Sequence, residues 1–256
     1  MTTQVDLIDD ELVLTGRIMP ASNATFVGQI GDLSVVYKPI AGERPLWDFP
    51  DGNLAHREVA AYTLSEALAW NIVPHTWLRE GPMGTGMVQR WQETDPEQDA
   101  VDLVAAGSVP VTGWCQVLEG RDAQDRPVAL VHEDTAALRR MAVFDAIANN
   151  ADRKGGHVLA MADRHRYGID HGLTFHAEHK LRTVLWGWLG QDLHDEELDG
   201  LRRVRSALDG DLGVTLAPLL TGREIEALAR RCDALLSESR FPAPHGEMPA
   251  VPWPPF

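Results

Sequence analysis

The pattern of apolar residues changes near residue 92, and this change limits the possible folds more than any other feature of the sequence. Before it, short β-prone runs alternate with turn residues, which predicts a five-stranded antiparallel sheet with one helix. After it, long segments carry apolar residues at helical spacing. We therefore expect an α+β protein in two lobes, residues 1–92 and a mainly helical part over residues 93–240. The predicted strands are 12–14, 26–30, 33–38, 73–78 and 86–91.

Four segments show the apolar spacing of a helix that packs on one face: residues 53–70, residues 138–148, residues 195–208 and residues 221–237. Asn53 is a candidate cap for the first helix, and Thr221 with Glu224 forms a capping-box pattern at the last. Residues 92–131 show no clear period and are expected to be irregular. The segment 241–256 holds six prolines, which exclude a helix and favour a tail that is extended along the surface or loose.

Charge and composition exclude several classes of protein. Lys and Arg total 23 against 38 for Asp and Glu, a formal net charge of −15 that disfavours nucleic acid as a partner. The two cysteines lie far apart, so neither a disulfide framework nor a zinc ribbon is expected. A zinc site at His171, His176 and His179 is disfavoured by the spacing. No apolar run approaches the roughly 20 residues that cross a bilayer, and no secretory signal is visible. We expect a cytoplasmic protein without integral membrane association.

Polar residues concentrate between residues 149 and 157, directly after a predicted helix. This segment reads Asn-Asn-Ala-Asp-Arg-Lys-Gly-Gly-His and contains Asp152; Asp170 follows 18 residues later, at the end of a short strand-like run. Carboxylates on neighbouring loops are typical ligands of a divalent metal that binds phosphate. The sequence therefore indicates a metal and phosphate site.

The residues around these carboxylates resemble the protein-kinase-like superfamily, most closely its phosphoinositide 3- and 4-kinase-like branch, which includes small actinobacterial kinase-like proteins. Asp152 is similar to the catalytic-loop aspartate of that family, and Lys154 lies where many kinases place a cation that meets the transferred phosphate. His157 lies five residues after Asp152, where the family usually has a metal-binding asparagine. Asp170-His171-Gly172 resembles the metal-binding Asp-x-Gly motif.

Upstream, further elements of the same family pattern occur in the expected order. Lys38, in Val-Val-Tyr-Lys-Pro, resembles the phosphate-binding lysine of the third strand, and Glu58 resembles its partner on the helix. Gln89 lies in the segment 87–91, which corresponds to the hinge whose backbone holds adenine. A loop without the family's repeated glycines lies where the nucleotide phosphates are covered. That loop consists of Ser22, Asn23, Ala24 and Thr25.

The resemblance implies a two-lobed protein-kinase-like fold that binds ATP with Mg²⁺ or Mn²⁺ and transfers a phosphoryl group to a hydroxyl acceptor. Lys38, held by Glu58, is expected to bind the nucleotide phosphates. Asp170 and His157 are expected to bind metal, and an imidazole ligand favours manganese over magnesium. Asp152 is expected to orient the acceptor. Two alternatives on the same fold stay open: a pseudokinase that binds nucleotide to switch a partner, and an enzyme that transfers AMP. The acceptor is either a small molecule or a protein.

Overall fold

A computed structural model describes residues 10–19, 23–246 and 248–256. Ser22, part of the predicted phosphate loop, lies outside the described residues. Within them, the chain forms a five-stranded antiparallel sheet with one helix, a separate three-stranded sheet, a short hairpin and four further α-helices. The α+β prediction is therefore confirmed, with the antiparallel sheet in the N-terminal part and the helices in the C-terminal part.

The first sheet places Lys38 on the face that meets a helix. In its third strand Val35 and Tyr37 are buried on one face of the sheet, so the alternation of side chains directs Lys38 to the other. Gly31 makes the turn of the predicted hairpin with φ of +56°, which glycine adopts without steric cost. The strand order is β1-β2-β3-β5-β4. The strands are β1 Leu12–Arg17, β2 Phe26–Ile30, β3 Leu33–Pro39, β4 Thr76–Gly81 and β5 Gly84–Arg90.

The first helix, α1 (Leu54–Leu68), confirms the predicted helix and its cap. Asn53 Oδ1 accepts a hydrogen bond from His56 N at 2.8 Å. The carboxylate of Glu43 accepts from the first two N–H groups of the helix, at 2.9 and 2.8 Å. These bonds satisfy donors that have no partner inside a helix, so the start of α1 is fixed. Glu58 lies about one turn further along.

Residues 92–131, which the sequence predicts to be irregular, instead contribute most of a second sheet. Its strands are β6 (Val101–Ala105), β7 (Trp114–Arg121) and β8 (Pro127–Glu133), in the order β6-β8-β7. The irregular expectation was wrong because β7 is half-exposed or exposed throughout and carries charges, so it shows no alternation. Its pairing with β8, whose centre is buried, stabilises it. A register shift between Gln116 and Leu118 interrupts the period further.

The C-terminal helices pack around a helix that is buried along most of its length. Three of the four were predicted, and the capping box of Thr221 and Glu224 is present. The fourth, of six residues, is too short to show a helical period. No helix among the described residues is long and apolar enough to cross a membrane. The helices are α2 Ala136–Ala148, α3 Asp195–Leu208, α4 Asp211–Leu216 and α5 Gly222–Glu238.

The proline-rich tail packs against the polar segment that follows α2. The carbonyl of Ala250 accepts the N–H of Thr183 at 3.0 Å, and the carbonyl of Pro255 accepts the N–H of Gly155 at 2.8 Å. The ring of Phe256 occupies the space beside Gly155, where a Cβ atom would overlap it. The structure therefore confirms the expectation that the tail lies along the surface.

Candidate active site

The ion pair predicted between Lys38 and Glu58 is present. Lys38 Nζ lies 2.7 Å from Glu58 Oε1, and the Glu58 side chain is 2% exposed. Burial raises the pKa of Glu58, and the neighbouring ammonium opposes that effect. Burial acts to lower the pKa of Lys38, but the carboxylates of Asp170 and Glu58 together raise it above its ordinary value. Lys38 therefore carries its charge at every physiological pH.

Asp170 reaches the same ammonium from the other side. It follows the hairpin of β9 (Val158–Ala160) and β10 (Arg166–Gly168), and its left-handed φ of +60° turns the chain sharply at this point. Asp170 Oδ1 lies 2.8 Å from Lys38 Nζ, and the Asp170 side chain is 50% exposed. The Lys38 ammonium holds the pKa of Asp170 far below its usual range. The site thus presents an ionised carboxylate that is open to solvent.

Asp152 and Lys154 lie on the loop after α2. Asn149, with φ of +54°, ends the helix, and Asn150 Oδ1 accepts the N–H of Asp152 at 3.0 Å. Asp152 Oδ2 lies 3.2 Å from Lys154 Nζ, and about a quarter of each side chain is exposed. A carboxylate and an ammonium are thus held together at the surface of the loop.

His157 joins the two loops, and its hydrogen bonds determine which ring nitrogen is free. Nδ1 lies 2.9 Å from the carbonyl oxygen of Asp152 and Nε2 lies 3.5 Å from Asp170 Oδ2. A carbonyl only accepts, so Nδ1 carries the proton, and Nε2 of the neutral ring has a lone pair. Burial lowers the pKa of His157, which favours the neutral ring.

A lone pair of His157 and a carboxylate oxygen of Asp170 therefore face each other with no hydrogen between them. Two such atoms with lone pairs can both bind a divalent cation. Manganese accepts an imidazole nitrogen together with a carboxylate oxygen as ligands. The part of the chain that the structure describes contains no group of three or more His, Cys, Asp or Glu side chains that could hold a metal. The residues present thus fit a metal ion that takes its remaining ligands from elsewhere, such as nucleotide phosphates and water.

Behind these residues lies a fully buried ion pair that the sequence reasoning missed. Arg153 NH2 lies 2.8 Å from Asp145 Oδ1, and both side chains are 0% exposed. The same guanidinium donates to the carbonyls of His157 and Ile169, at 3.3 and 3.2 Å, and meets His171 Nε2 at 2.7 Å. Arg153 therefore fastens α2, the loop of Asp152 and the segment of Asp170 together. The available signal was an aspartate within the otherwise apolar second part of α2, residues 141–148.

We call the set of predicted site residues that contact one another the outer cluster, all of which are partly exposed except the buried Glu58, and we call the fully buried pair of Asp145 and Arg153 the inner pair. The structure brings six of the predicted site residues into one chain of contacts, in which each member lies within 3.5 Å of the next. Within it, the acidic and basic groups alternate. The outer cluster consists of Lys38, Glu58, Asp152, Lys154, His157 and Asp170.

The other predicted site residues make different contacts. In the β1–β2 loop, Asn23 Oδ1 accepts the N–H of Arg44 at 2.9 Å and the N–H of Ala24 donates to Gly42 O at 3.3 Å. Thr25 Oγ1 donates to the carbonyl of Asn23 at 3.4 Å. Within the described part of this loop, Asn23 and Ala24 are therefore bound to residues 42–44.

Gln89, predicted in the hinge, is buried in β5 of the first sheet. Its Nε2 donates to Thr76 Oγ1 at 2.9 Å, and its backbone lies between β3 and β4. The N–H of Trp91, the residue after β5, still donates to Ser34 O of β3 at 2.9 Å, so the hydrogen bonds of the sheet extend to residue 91.

The three nearby histidines that the sequence contains do not converge. His171 is buried against Arg153, the ring of His176 packs on Phe49 with centroids 5.2 Å apart, and His179 packs on His245 with centroids 3.5 Å apart. Among the described residues, the three side chains therefore lie in separate environments and form no common cluster.

Comparison with known proteins gives one relative of high identity. Protein Rv2133c from Mycobacterium tuberculosis is 48% identical over 263 residues, which cover 98% of this chain and 94% of the relative. No family model matches the chain. Among solved structures, the Helicobacter pylori proinflammatory kinase CtkA is similar with a TM-score of 0.48 and 13% identity, over 92% of this chain and 94% of that one. We infer neither fold nor activity from a structural similarity at this level.

Proposed function

The chain belongs to the same family as Protein Rv2133c of Mycobacterium tuberculosis, and we propose that it is a metal-dependent phosphotransferase that uses ATP through a kinase-like site. The acceptor is a small molecule or a protein that presents a hydroxyl group. The likeness of the site residues to the phosphoinositide 3- and 4-kinase-like branch supports the reaction class, and it leaves the acceptor open because fold does not set substrate.

One observation carries the proposal: a single ammonium bridges two of the three carboxylates that the family resemblance singles out. Lys38 Nζ lies 2.7 Å from Glu58 on α1 and 2.8 Å from Asp170 after β10, although Asp170 is 132 residues away in sequence. Phosphoryl transfer needs few covalent steps and depends on aligned charges. A cation that is held in place beside an ionised, accessible carboxylate is suited to bind a nucleotide phosphate.

Each member of the outer cluster has a distinct role in this proposal. Lys38, positioned by Glu58, binds phosphate oxygens of ATP. Asp170 and His157 hold the metal ion, which when bound neutralises charge on the phosphates. The orientation of His157 depends on its bond to the Asp152 carbonyl.

Asp152 and Lys154 act on the acceptor side. The Asp152 carboxylate orients the acceptor hydroxyl and takes its proton while the hydroxyl oxygen bonds to the γ-phosphorus and ADP departs. Lys154, 3.2 Å from that carboxylate, offsets negative charge on the moving phosphoryl group. Because both side chains are partly exposed, an acceptor can reach them.

The proposal is tested with ATP that is labelled on either the γ- or the α-phosphate. The acceptors in this assay are the chain itself and water. We expect ADP and transfer of the γ-label, both reduced at least about 10²-fold in Asp152→Asn and in Asp170→Asn. Asp233→Asn is the matched control, because Asp233 lies on the surface of α5 and pairs with Arg205 of α3. ADP formation that persists in Asp170→Asn contradicts the proposal.

The same experiment separates the two alternatives. Incorporation of the α-label with release of pyrophosphate identifies an AMP transferase. Binding of ATP without transfer of either label identifies a nucleotide-binding module, an outcome that the histidine at position 157 and the glycine-poor loop before β2 favour. Each of the three outcomes requires that the Lys38 ammonium binds the nucleotide, so Lys38→Ala is expected to abolish all of them.

A further inference from the structure

His171 carries a buried donor that has no partner. The residue is 0% exposed, and within the described part of the chain its Nδ1 atom makes no hydrogen bond. A buried polar group without a hydrogen bond costs about 1–3 kcal/mol, so such a group calls for an explanation. The neighbouring atoms give one.

The contacts of His171 fix the position of its ring proton. Arg153 NH2 lies 2.7 Å from His171 Nε2, and a guanidinium can only donate. Nε2 is therefore the acceptor, and the proton of the neutral ring lies on Nδ1. The unpartnered atom is thus an N–H group, which requires an acceptor nearby.

The acceptor that faces this N–H group is Glu58. Oε2 of Glu58 lies 3.9 Å from His171 Nδ1, too far for a hydrogen bond, while the backbone N–H of His171 donates to the same oxygen at 2.8 Å. An approach of about 1 Å would bring the pair to bonding distance. The other oxygen of Glu58 holds Lys38 at 2.7 Å.

We propose that His171 is a positioning residue whose Nδ1–H bonds Glu58 when nucleotide binds. In the free protein the Lys38 ammonium balances the buried Glu58 carboxylate. When Lys38 turns to the phosphates, Glu58 loses part of that balance, and a second donor compensates because a buried charge needs its full set of hydrogen bonds. This inference rests on the function proposed above.

The consequence is a physical link between the catalytic loop and the phosphate-binding lysine. Arg153 holds one nitrogen of His171, the other faces Glu58, and Glu58 holds Lys38. Once Nδ1–H bonds Glu58, the imidazole ring of His171 connects the loop of Asp152 to helix α1, in addition to the backbone bond from His171 N–H to Glu58. His171 itself touches neither nucleotide nor acceptor.

Two substitutions separate the two nitrogens of this ring. In His171→Asn the amide stands near the place of Nδ1, so a donor toward Glu58 is kept and the acceptor for Arg153 is lost. In His171→Gln the amide oxygen stands near the place of Nε2, so the acceptor for Arg153 is kept and the donor toward Glu58 is lost. The affinity for ATP with Mn²⁺ is measured by calorimetry, beside the free energy of unfolding in urea.

We expect His171→Gln to weaken the affinity for ATP about tenfold, as for a hydrogen bond to a charged group, and His171→Asn to weaken it less. The loss in His171→Gln is expected to disappear in the Glu58→Gln background, because the two residues then no longer interact. For unfolding the order is expected to reverse, with His171→Asn the less stable variant.

Three results overturn the inference, and they are distinguishable. If the wild-type chain does not bind ATP, the proposed function fails and the inference fails with it. If the wild type binds ATP but His171→Gln retains full affinity, only the inference fails. If both variants lose affinity in proportion to their loss of stability, His171 has a structural role alone and the inference is again wrong.

Discussion

The outer cluster and the inner pair consist of similar charged groups, but every member of the outer cluster except Glu58 has access to water, whereas the inner pair has none. Half of the Asp170 side chain is exposed, whereas Asp145 and Arg153 are 0% exposed. Charges that contact solvent can exchange their partners for a ligand, while buried charges must keep theirs. The comparison indicates that the inner pair determines where the loops lie, and in the proposed function the outer cluster performs the chemistry.

The inner pair is held by more than its Coulomb attraction. Arg153 contacts the carboxylate of Asp145, the ring of His171 and two backbone carbonyls, and Thr183 Oγ1 donates to Asp145 Oδ2 at 3.2 Å. A buried ion pair compensates its loss of hydration only when such additional bonds are present. Removal of one partner therefore leaves a buried charge uncompensated.

The largest effect is expected from Arg153→Met. The substitution leaves Asp145 without its cation, and the free energy of unfolding is expected to fall by about 3–5 kcal/mol, measured by urea denaturation. The double variant Asp145→Leu with Arg153→Met, which removes both charges, is expected to regain part of this loss. A single variant as stable as the wild type would mean that the inner pair does not hold the loops.

Asp170→Asn tests the outer cluster. ATP turnover is expected to fall at least about 10²-fold, because the metal loses its carboxylate ligand and Lys38 its partner. Since half of the Asp170 side chain is exposed, the free energy of unfolding is expected to change by no more than about 1 kcal/mol. A loss of stability as large as that of Arg153→Met would erase the distinction between the two sets of charges.

A smaller effect is expected from Gly155→Ala, which adds a methyl group between the catalytic loop and the tail. The new Cβ overlaps the ring of Phe256, and since that ring is 47% exposed it can shift, so the expected loss of stability is about 1 kcal/mol. Thermal unfolding measures it. In the Phe256→Ala background the same substitution is expected to cost less, and an equal cost there would show that the tail does not pack on the loop.

The smallest effect concerns pH and a histidine outside the site. His132 is buried in β8, its Nε2 accepts the N–H of Gly187 at 3.0 Å, and burial lowers its pKa. Because the folded chain binds this proton less readily than the unfolded chain, stability is expected to fall as the pH decreases from about 6.5 through the lowered pKa. Urea denaturation of His132→Gln is expected to give a shallower decline over that range. An unchanged slope would assign the acid sensitivity to other groups.

The sequence predicts those parts of this chain in which a local pattern and the final environment agree. Helices α1, α2, α3 and α5 were predicted from runs of apolar residues at helical spacing and, in two cases, from their caps, and all four are present. The second sheet is different, because β7 depends on its pairing with β8 and shows little period of its own. The six residues of helix α4 are held by neighbours rather than by any signal of their own.

The same distinction holds within the site. The outer cluster was predicted because each of its residues lies in a recognisable local context, as Lys38 does on its strand. The inner pair was not, since the pairing of Asp145 with Arg153 depends on where α2 ends and on what covers the loop. From the sequence, His171 was considered only as the middle residue of its motif and as a member of a disfavoured zinc site. The placement of one ring nitrogen against Arg153 and of the other toward Glu58 depends on the tertiary structure.

Calorimetric titration of ATP, first with Mg²⁺ and then with Mn²⁺, tests the central claim most directly. We expect binding that requires the metal, that is stronger with Mn²⁺ because of His157, and that is lost in both Lys38→Ala and Asp170→Ala. Arg205→Ala, which removes an exposed cation on α3, is expected to bind as the wild type does. Absence of binding with either metal, or binding that survives both substitutions at the outer cluster, would contradict a nucleotide site there.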